Sequence, residues 1–367
     1  MLFHPGGADP PPGCQEAGEV GHKKDMKRKH IIAIIAAVLM GLMGASCDKA
    51  MYDGPGDCQI SVRFRFDFNL KYADAFRNEV KSVAVYAFDQ KGKFVAKASE
   101  SGVALTQEGY VLEIPGLPTG IYDVVAWCGL EDGDSFVVPD PATKEELVCR
   151  IKTQERTKAT VENYSNKNLG GLYYGIVEDQ NLVNLPPGSV NTVVIPLVKN
   201  TNNIRVLLQS INSDINLTPE QFDFAIYDIN TELGWDDNIA TPIPITYDPF
   251  NTKQGSVILN DGTEVLTAAV AEFSVGRLFT RTTDKTRLVI TQRSNGQVVF
   301  DIPVVDYFLM VKGYYAHEMG DQEYLDRQDD YSIVIFLEHK EGPEEYYIAA
   351  RIYINGWQIV LMNPDLY

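Results

Sequence analysis

Alternating apolar and polar positions characterise the chain from residue 60 onward. The clearest run has five apolar residues at every second position, separated by polar residues: Ile60, Val62, Phe64, Phe66 and Phe68. A period of two buries one face of a β-strand, whereas in a helix the same residues would scatter around every face. This segment is therefore predicted to be a strand with one buried face and one wet face.

Short runs of the same kind follow, with turn-forming residues between them. In the first part of the chain they are Val83 to Phe88, Phe94-Val95, Tyr110 to Ile114, Ile121 to Trp127 and Val193 to Val198. Pro196 lies inside the last run. Because proline cannot donate to a β-ladder, this run is predicted to be an edge strand.

A second group of runs begins after residue 203. Its members are Ile204 to Gln209, Phe222 to Ile229, Leu288 to Gln292, Val298 to Pro303, Ser332 to Leu337 and Ile348 to Val360. Asn295-Gly296 and Asn355-Gly356 each separate two β-rich runs, and Asn-Gly favours the type I′ turn of a hairpin. Only residues 263–278 and 303–312 are compatible with short helices. The pattern predicts an all-β protein of two β-sandwiches in series.

The polar stretch Lys199-Asn-Thr-Asn-Asn203 separates the two groups of strands. It predicts the boundary between an N-terminal β-sandwich, residues 58–199, and a C-terminal β-sandwich, residues 200–367. Both segments have the usual size of a domain.

The residues before 58 have the features of an export leader and a tether. Residues 26–46 begin with Met-Lys-Arg-Lys-His, continue with an uncharged apolar run at 31–43, and end with small residues. This order is that of a signal peptide, and the run is too short to span a membrane. Residues 1–25 precede a complete signal, which indicates an over-extended gene start. Residues 47–57 are polar and rich in turn formers, as expected of a tether.

Cys47 follows Gly44-Ala-Ser at the end of this signal. The arrangement resembles the lipobox of bacterial lipoproteins, in which a diacylglycerol joins the cysteine thiol, although Gly44 stands where leucine is usual. Cys47 is accordingly predicted to carry a lipid. The alternative is an ordinary secretory signal that happens to precede a cysteine.

The chain is acidic, with a formal net charge of −18. The leader holds five Lys/Arg and four Asp/Glu, so its removal leaves −19. A charge of this sign repels phosphate backbones and argues against nucleic-acid binding. It also argues against docking on anionic lipid through protein charge, so membrane attachment would depend on the covalent lipid.

Cysteine and histidine are too sparse to support a metal site. After Cys47 only Cys58, Cys128 and Cys149 remain, and no two form a CxxC. Outside the cytosol three thiols allow at most one internal disulfide, and the sequence leaves the pair open. No recognised catalytic motif accompanies His317 or His339, so both are interpreted as loop or strand-end residues and no enzyme or cofactor is predicted.

Two residue classes keep a weaker claim to ligand chemistry. Acidic clusters that could hold calcium or act as paired carboxylates lie at 131–134, 236–237 and 329–330, but a solvated loop is their default interpretation. Trp127, Trp235 and Trp357 could stack on sugars. Trp127 and Trp357 lie in apolar strands, however, and are predicted to be core residues.

Several segments resemble, in the same order, the minor fimbrial anchoring family of Bacteroidales-type fimbriae, the FimB-like lipoproteins. They are Cys47 with its tether, Cys58, Phe64-Arg-Phe-Asp-Phe-Asn-Leu-Lys-Tyr-Ala-Asp-Ala-Phe76, Val85-Tyr-Ala-Phe-Asp-Gln-Lys-Gly-Lys-Phe94, Pro118-Thr-Gly-Ile-Tyr122, Ala126-Trp127, Pro196-Leu-Val-Lys-Asn-Thr201, Tyr324-Leu-Asp-Arg-Gln-Asp-Asp-Tyr331 and Ile354-Asn-Gly-Trp357. Together they span nearly all of the chain after the leader.

The resemblance implies two transthyretin-like Greek-key β-sandwiches, a lipid on Cys47, and a place at the base of a surface fimbria on the outer membrane. It implies no catalysis and no cofactor, and its partners would be fimbrillin subunits. Related stalk subunits assemble by strand exchange, which is a form of β-augmentation. The expected contact edges are the C-terminal strand with Trp357, Ile359 and Leu361, and the proline-marked strand with Val193 and Ile195.

Two other functions fit the same features. A glycan-binding surface lipoprotein of a polysaccharide-utilisation system would share the leader, the acidity and the sandwiches. A stalk or tip adhesin would share the fimbrial setting. The residues alone leave both alternatives open.

Overall fold

β-Strands make up most of the regular structure. A computed structural model describes residues 59–131, 133–157, 160–183, 190–211, 215–258, 264–282, 285–340 and 346–359. The strands are β1 (Gln59–Arg65), β2 (Ser82–Asp89), β3 (Phe94–Ser101), β4 (Leu112–Ile114), β5 (Ile121–Cys128), β6 (Phe136–Val137), β7 (Val148–Ile151), β8 (Gln154–Thr157), β9 (Val161–Ser165), β10 (Tyr173–Asn181), β11 (Val190–Pro196), β12 (Val198–Lys199), β13 (Thr201–Ser210), β14 (Phe222–Asp228), β15 (Glu232–Gly234), β16 (Ile239–Thr241), β17 (Ile245–Tyr247), β18 (Asn251–Ile258), β19 (Glu264–Gly276), β20 (Arg287–Gln292), β21 (Val298–Pro303), β22 (Asp330–Lys340), β23 (Tyr346–Ile354) and β24 (Trp357–Ile359).

Helices are few and short. The α-helices are α1 (Phe76–Glu79), α2 (Val304–Met310) and α3 (Asp321–Arg327), and the 3-10 helices are Val103–Thr106, Lys144–Glu146, Pro219–Gln221, Thr280–Thr282 and Gly313–His317. The predicted all-β fold is confirmed.

Two sheets form the first sandwich. A three-stranded sheet has the order β11-β1-β4, and a five-stranded sheet has the order β12-β10-β5-β2-β3. Ile60, Val62 and Phe64 of β1 are buried while Arg63 and Arg65 are exposed, so the predicted alternation is confirmed for these residues. Ser61 is buried as well, and the strand ends at Arg65, before Phe66 and Phe68. The buried residues of both sheets pack into one apolar cluster.

Two six-stranded sheets form most of the rest of the described molecule, which we call the second part. Their orders are β18-β19-β13-β22-β23-β24 and β21-β20-β14-β17-β9-β8. Alternate residues of β13, such as Ile204 and Val206, share a second apolar cluster with Phe222 and Ile226 of β14.

The central strands β2 and β5 of the five-stranded sheet are buried on both faces. Residues of β2 that point one way, such as Val83 and Val85, belong to the first cluster, while their neighbours Ala84 and Tyr86 belong to the second. In β5 the fully buried Trp127 belongs to the second cluster as well. Both apolar cores therefore rest on this one sheet.

Strands from before residue 199 also pair with strands from after it. β7 pairs with β15, and β9 pairs with β17. The polar stretch at 199–203 contains buried Asn200, Thr201 and Asn202, because it leads directly into β13. The domain boundary drawn there stays a prediction, but it does not lie in an exposed linker.

The local predictions had mixed outcomes. Both Asn-Gly hairpins are confirmed, since β20 pairs with β21 and β23 pairs with β24. A helix at 303–312 is confirmed by α2. The helix suggested at 263–278 is wrong, because these residues form β19, which pairs with β13 on one side and β18 on the other. Pairing along both edges outweighs the helix propensity of its alanines.

Candidate subunit interface

β11 forms an outer strand of the three-stranded sheet, as Pro196 predicted. Among the described strands its only ladder partner is β1, which it joins in parallel. Val193 and Ile195, predicted as contact residues, point into the core and are 6% and 0% exposed. The exposed side chains are those of Val190, Thr192, Val194 and Pro196. Val190 and Val194 are 53% and 48% exposed.

The register shows which backbone groups of β11 are free to pair. The Leu197 amide donates to the Arg65 carbonyl at 2.8 Å, so odd-numbered residues of β11 direct their amides toward β1. In a parallel ladder the alternate residues direct theirs away. The amides of Thr192 and Val194 therefore face the outer edge. Pro196 has the same parity, so its missing N–H takes no bond from the β1 ladder.

β24 is the second predicted edge, at the end of a six-stranded sheet. It follows Asn355 and Gly356, whose φ angles of 48° and 83° are those of a type I′ turn. Ile354 pairs with Trp357 across this two-residue turn and Ile352 pairs with Ile359, so Ile359 directs its amide inward. The amide of Gln358 faces the outer edge.

The side chains of β24 depart from the prediction in one respect. Trp357 was predicted to be a core residue, and this is wrong, because it is 68% exposed. It lies at the margin of the sheet, in the outer strand of the last described hairpin. Ile359 is half-buried against the second core, and Leu361 lies outside the described residues.

The other two tryptophans are structural. Trp127 is fully buried and packs against the Tyr174 ring at 5.0 Å between centroids, as predicted for a core residue. Trp235 is half-buried, with the Lys144 ammonium 4.1 Å from its ring centroid. Its carbonyl accepts a hydrogen bond from the Tyr174 hydroxyl at 2.7 Å.

A buried ionic cluster joins the start of β13 to the second core. The Arg277 guanidinium donates to Asp326 at 2.7 and 2.8 Å and to Asp237 at 2.5 Å. Asn200 also donates to Asp237. Burial raises the pKa of Asp237 to about 7, while Arg277 and Asn200 oppose that shift. Asp237 was expected to lie in a solvated loop, and this is wrong. It is buried because Arg277 and Asn200 both donate hydrogen bonds to it.

Arg327 of α3 ties the chain after β1 to the second part. Its guanidinium lies 3.9 Å from the Phe68 ring centroid and 4.7 Å from that of Tyr72. Its carbonyl accepts the Leu70 amide at 3.3 Å. The two segments are far apart in sequence, and no pattern within either one indicates the contact.

The cysteines divide into described and undescribed residues. Cys47 and Cys58 lie outside the described residues, so lipidation stays a prediction. Cys128 and Cys149 are free, buried thiols, and burial raises the pKa of each well above its usual value. They are therefore poor nucleophiles.

The remaining candidate groups show no ligand site within the described part of the chain. There, no group of three or more His, Cys, Asp and Glu could hold a metal ion. Asp132 is undescribed, whereas Asp329 pairs with Lys199 and Asp330 accepts from Asn203 at 3.0 Å. The described residues also include no helix that is both long and apolar enough for a membrane span.

One open cleft, of about 630 Å³, lies in the second part. Its lining includes the 40% exposed Tyr227 together with Thr291 and Arg293. On another side it is lined by Arg156 and Asp248, which form an ion pair.

Known proteins are similar to nearly the whole described chain. A minor fimbrium anchoring subunit Mfa2 of Porphyromonas gingivalis is 25% identical over 345 residues, covering 91% of this chain and 97% of that protein. The solved structure of the fimbrial anchor protein Mfa2 from the same species is 19% identical, with a TM-score of 0.61 over 82% of this chain and 98% of that one. At that identity it supports the fold alone.

A more similar structure comes from Bacteroides thetaiotaomicron. This candidate polysaccharide-binding protein is 30% identical, with a TM-score of 0.67 over 83% of this chain and 99% of that one. The model of the fimbrillin-A associated anchor proteins Mfa1 and Mfa2 matches residues 55–363. The protein thus belongs to the family of fimbrillin-A associated anchor proteins.

Proposed function

We propose that this member of the fimbrial anchor family is a lipid-anchored subunit that holds or nucleates a fimbria at the outer membrane. Cys47 would carry the lipid, and a strand edge would pair with a fimbrillin strand. Family membership supports the anchoring role. The observation that carries strand pairing is the uncharged outer edge of β11, which exposes Val190 and Val194.

Exposed sheet edges are usually protected from pairing by charges, bulges or short length. β3, another outer strand, follows this rule, since it carries Lys97 and Glu100. β11 does not, because its seven residues Val-Asn-Thr-Val-Val-Ile-Pro include no charge. An added strand would bond the amides of Thr192 and Val194, and it would lie beside two exposed valines. Main-chain bonds along a whole strand suit a contact that has to resist shear.

The β24 edge is the second site for such a contact. It is shorter, with three described residues, and only Gln358 directs its amide outward. Trp357 supplies a large exposed apolar surface beside it, and tryptophan is enriched among residues that dominate binding energies.

Proline substitutions at outward amides test the two edges separately. Val194→Pro and Gln358→Pro each remove one outer donor and leave the inner ladder complete. Val194→Thr is the matched control, because it keeps the amide and the branched shape. We expect Val194→Pro to shed fimbriae into the medium and to weaken capture of purified fimbrillin, while Val194→Thr stays normal. Unchanged attachment with both proline variants would refute strand pairing at these edges.

Lipid attachment is tested at the cysteine itself. Cys47→Ser should abolish labelling by a fatty-acid analogue and release the protein from the membrane fraction. Cys58→Ser, eleven residues along the chain, is the control and should leave both unchanged. Labelling that persists in the Cys47 variant would overturn this part of the proposal.

Glycan binding is the second candidate, supported by the similarity to a candidate polysaccharide-binding protein of Bacteroides thetaiotaomicron and by the cleft beside Tyr227. A half-exposed aromatic ring among paired charges is a surface on which a sugar ring can stack. Tyr227→Ala should then abolish retention on immobilised polysaccharide without releasing fimbriae. Normal growth on polysaccharides in a deletion strain that sheds fimbriae would favour the anchor role.

A further inference from the structure

Tension on an anchored protein would enter at the start of β1. This argument rests on the proposed function, in which Cys47 is held at the membrane and a fimbria pulls elsewhere. β1 begins at Gln59 and is the first described strand. Its ladder partners are β11, in parallel, and the three-residue β4, antiparallel. Force on the tether therefore loads these two ladders first, and the seven-residue β11 ladder is the longer.

The direction of the strands decides how the β11 ladder is loaded. Because β1 and β11 are parallel, Gln59 lies opposite Val190 at one end and Arg65 lies opposite Pro196 at the other. The chain leaves β11 at the far end, where it continues through β12 into β13. Tension between the tether and the second part thus pulls the two strands past each other along their length. In this shear geometry every ladder bond carries load together, whereas peeling from one end breaks them one at a time.

Packing of both strands opposes such sliding. Ile60, Val62 and Phe64 of β1 share the first core with Val193 and Ile195 of β11. Sliding by one residue would turn these side chains to the opposite face of the sheet. Beyond the ladder, Leu197 adds its hydrogen bond to the Arg65 carbonyl.

The far end of β1 is also secured. The segment after it is held by Arg327 through Phe68 and the Leu70 amide. Arg327 belongs to α3, in the second part of the molecule. Load that reaches the end of β1 therefore passes into the second part by a route that does not cross β11.

We propose that the parallel β1–β11 pair is a shear-loaded mechanical clamp, which receives tension from the N-terminal tether and transmits it to the second part. Its function is to lengthen the lifetime of the folded state under force. Forced unfolding is governed by the unfolding rate, so this property is separate from equilibrium stability.

Two pulling geometries on the same ladder test the clamp. One handle is fused ahead of Asp57 in place of residues 1–56, and the second is attached to a cysteine introduced by Val190→Cys or by Pro196→Cys. Cys58 is changed to serine in both proteins. Both attachment positions are exposed. Pulling at 196 shears the ladder, and pulling at 190 peels it. Since each ladder bond contributes about 1 kcal/mol, the sheared lifetime at constant force should be longer by more than about tenfold.

Side-chain variants separate the clamp from general weakening. Val193→Ala removes core packing and should shorten the sheared lifetime far more than the peeled one. Val194→Pro alters only the outer edge and should leave the ratio of the sheared to the peeled lifetime unchanged. Equal lifetimes in the two geometries would overturn the clamp and leave the anchor role standing. The anchor role is tested separately, by whether Val194→Pro loses fimbrial capture on cells. That result does not change the lifetimes measured in the two pulling geometries.

Discussion

The two parts of the molecule begin with the same strand arrangement and finish it differently. β1 lies between an antiparallel strand, β4, and a parallel one, β11. β13 likewise lies between antiparallel β19 and parallel β22. In the second part the β23–β24 hairpin continues the sheet beyond β22, whereas among the described strands nothing continues it beyond β11.

Among the described strands, the three-stranded sheet thus lacks a counterpart of the β23–β24 hairpin. β22 has both sides of its backbone paired, so its edge is closed by the protein's own chain. β11 has the equivalent position and an uncharged sequence, but no described strand pairs with its outer side. The comparison supports β11 over β24 as the first edge to test, because β24 is itself the closing strand.

The two parts also differ in buried charge. Every described charged residue that is buried lies after position 200: Asp228, Glu232, Asp237, Lys312 and Asp326. The first core is apolar, so pH and ion-pair variants should act mainly through the second part. The following expectations test both differences.

The largest effect is expected for Arg277→Met. The change leaves Asp237 and Asp326 buried without their cation, which costs about 3–5 kcal/mol in the free energy of unfolding. Denaturant titration measures this loss. Arg293→Met breaks an exposed ion pair with Asp223 and is the control, with an expected change below about 0.5 kcal/mol. Similar values for both variants would show that the buried cluster does not stabilise the fold.

Val334→Pro in β22 should cost about 1–3 kcal/mol in the free energy of unfolding, because it removes a ladder donor and leaves its acceptor unpaired. The Asn355 amide donates to the Ser332 carbonyl, so even-numbered residues of β22 face β23, and the proline would remove an inner ladder donor. Val334→Ala keeps that donor and is the control. Equal destabilisation by alanine and proline would mean that side-chain packing, and not the closed edge, determines stability here.

The buried Asp228 of the second part should make the free energy of unfolding depend on pH. Burial raises its pKa to about 7 from 3.8, although Ile229 and Thr286 donate to it. The folded state therefore keeps a proton that the unfolded state releases, and the stability that this proton provides is lost as pH rises from about 4 to 7. In thermal unfolding, Asp228→Asn should lose this part of the decline, roughly 2 kcal/mol between pH 5 and pH 7, and keep the part that Asp237 causes. Parallel pH curves for the two proteins would contradict the assignment.

Val194→Pro should have the smallest effect on stability, within about 0.5 kcal/mol. Its amide faces outward, so the protein's own ladder loses no bond. Chemical denaturation against wild type measures this. A loss comparable to that of Val334→Pro would show that β11 already has a partner strand in the isolated protein, and that the two parts are closed alike.

Sequence patterns identified the elements whose signals are local. The period of two gave β1, Asn355-Gly356 gave the last hairpin, and Pro196 marked an outer strand. Each depends on the conformational preference of one or a few neighbouring residues.

Features set by distant pairing could not be obtained in this way. The alanines of β19 indicated a helix because nothing local signals two flanking strands. Trp357 was assigned to the core because an apolar strand does not reveal that its sheet ends there. For β11 the sequence located the strand, but only the register with β1 shows that Val194 faces outward and Val193 inward.

Burial of β2 and β5 on both faces of the five-stranded sheet has an evolutionary consequence. The side chains of β2 and β5 have to fit two separate apolar cores, one on each face of the sheet. Few positions in either strand are exposed to solvent, where substitutions are tolerated more easily. β3, at the margin of the same sheet, has mostly exposed or half-buried residues. Related anchor proteins should therefore diverge slowly along β2 and β5 and freely along β3. Along β2, alternate positions should covary with residues of the first core, and the positions between them with residues of the second core.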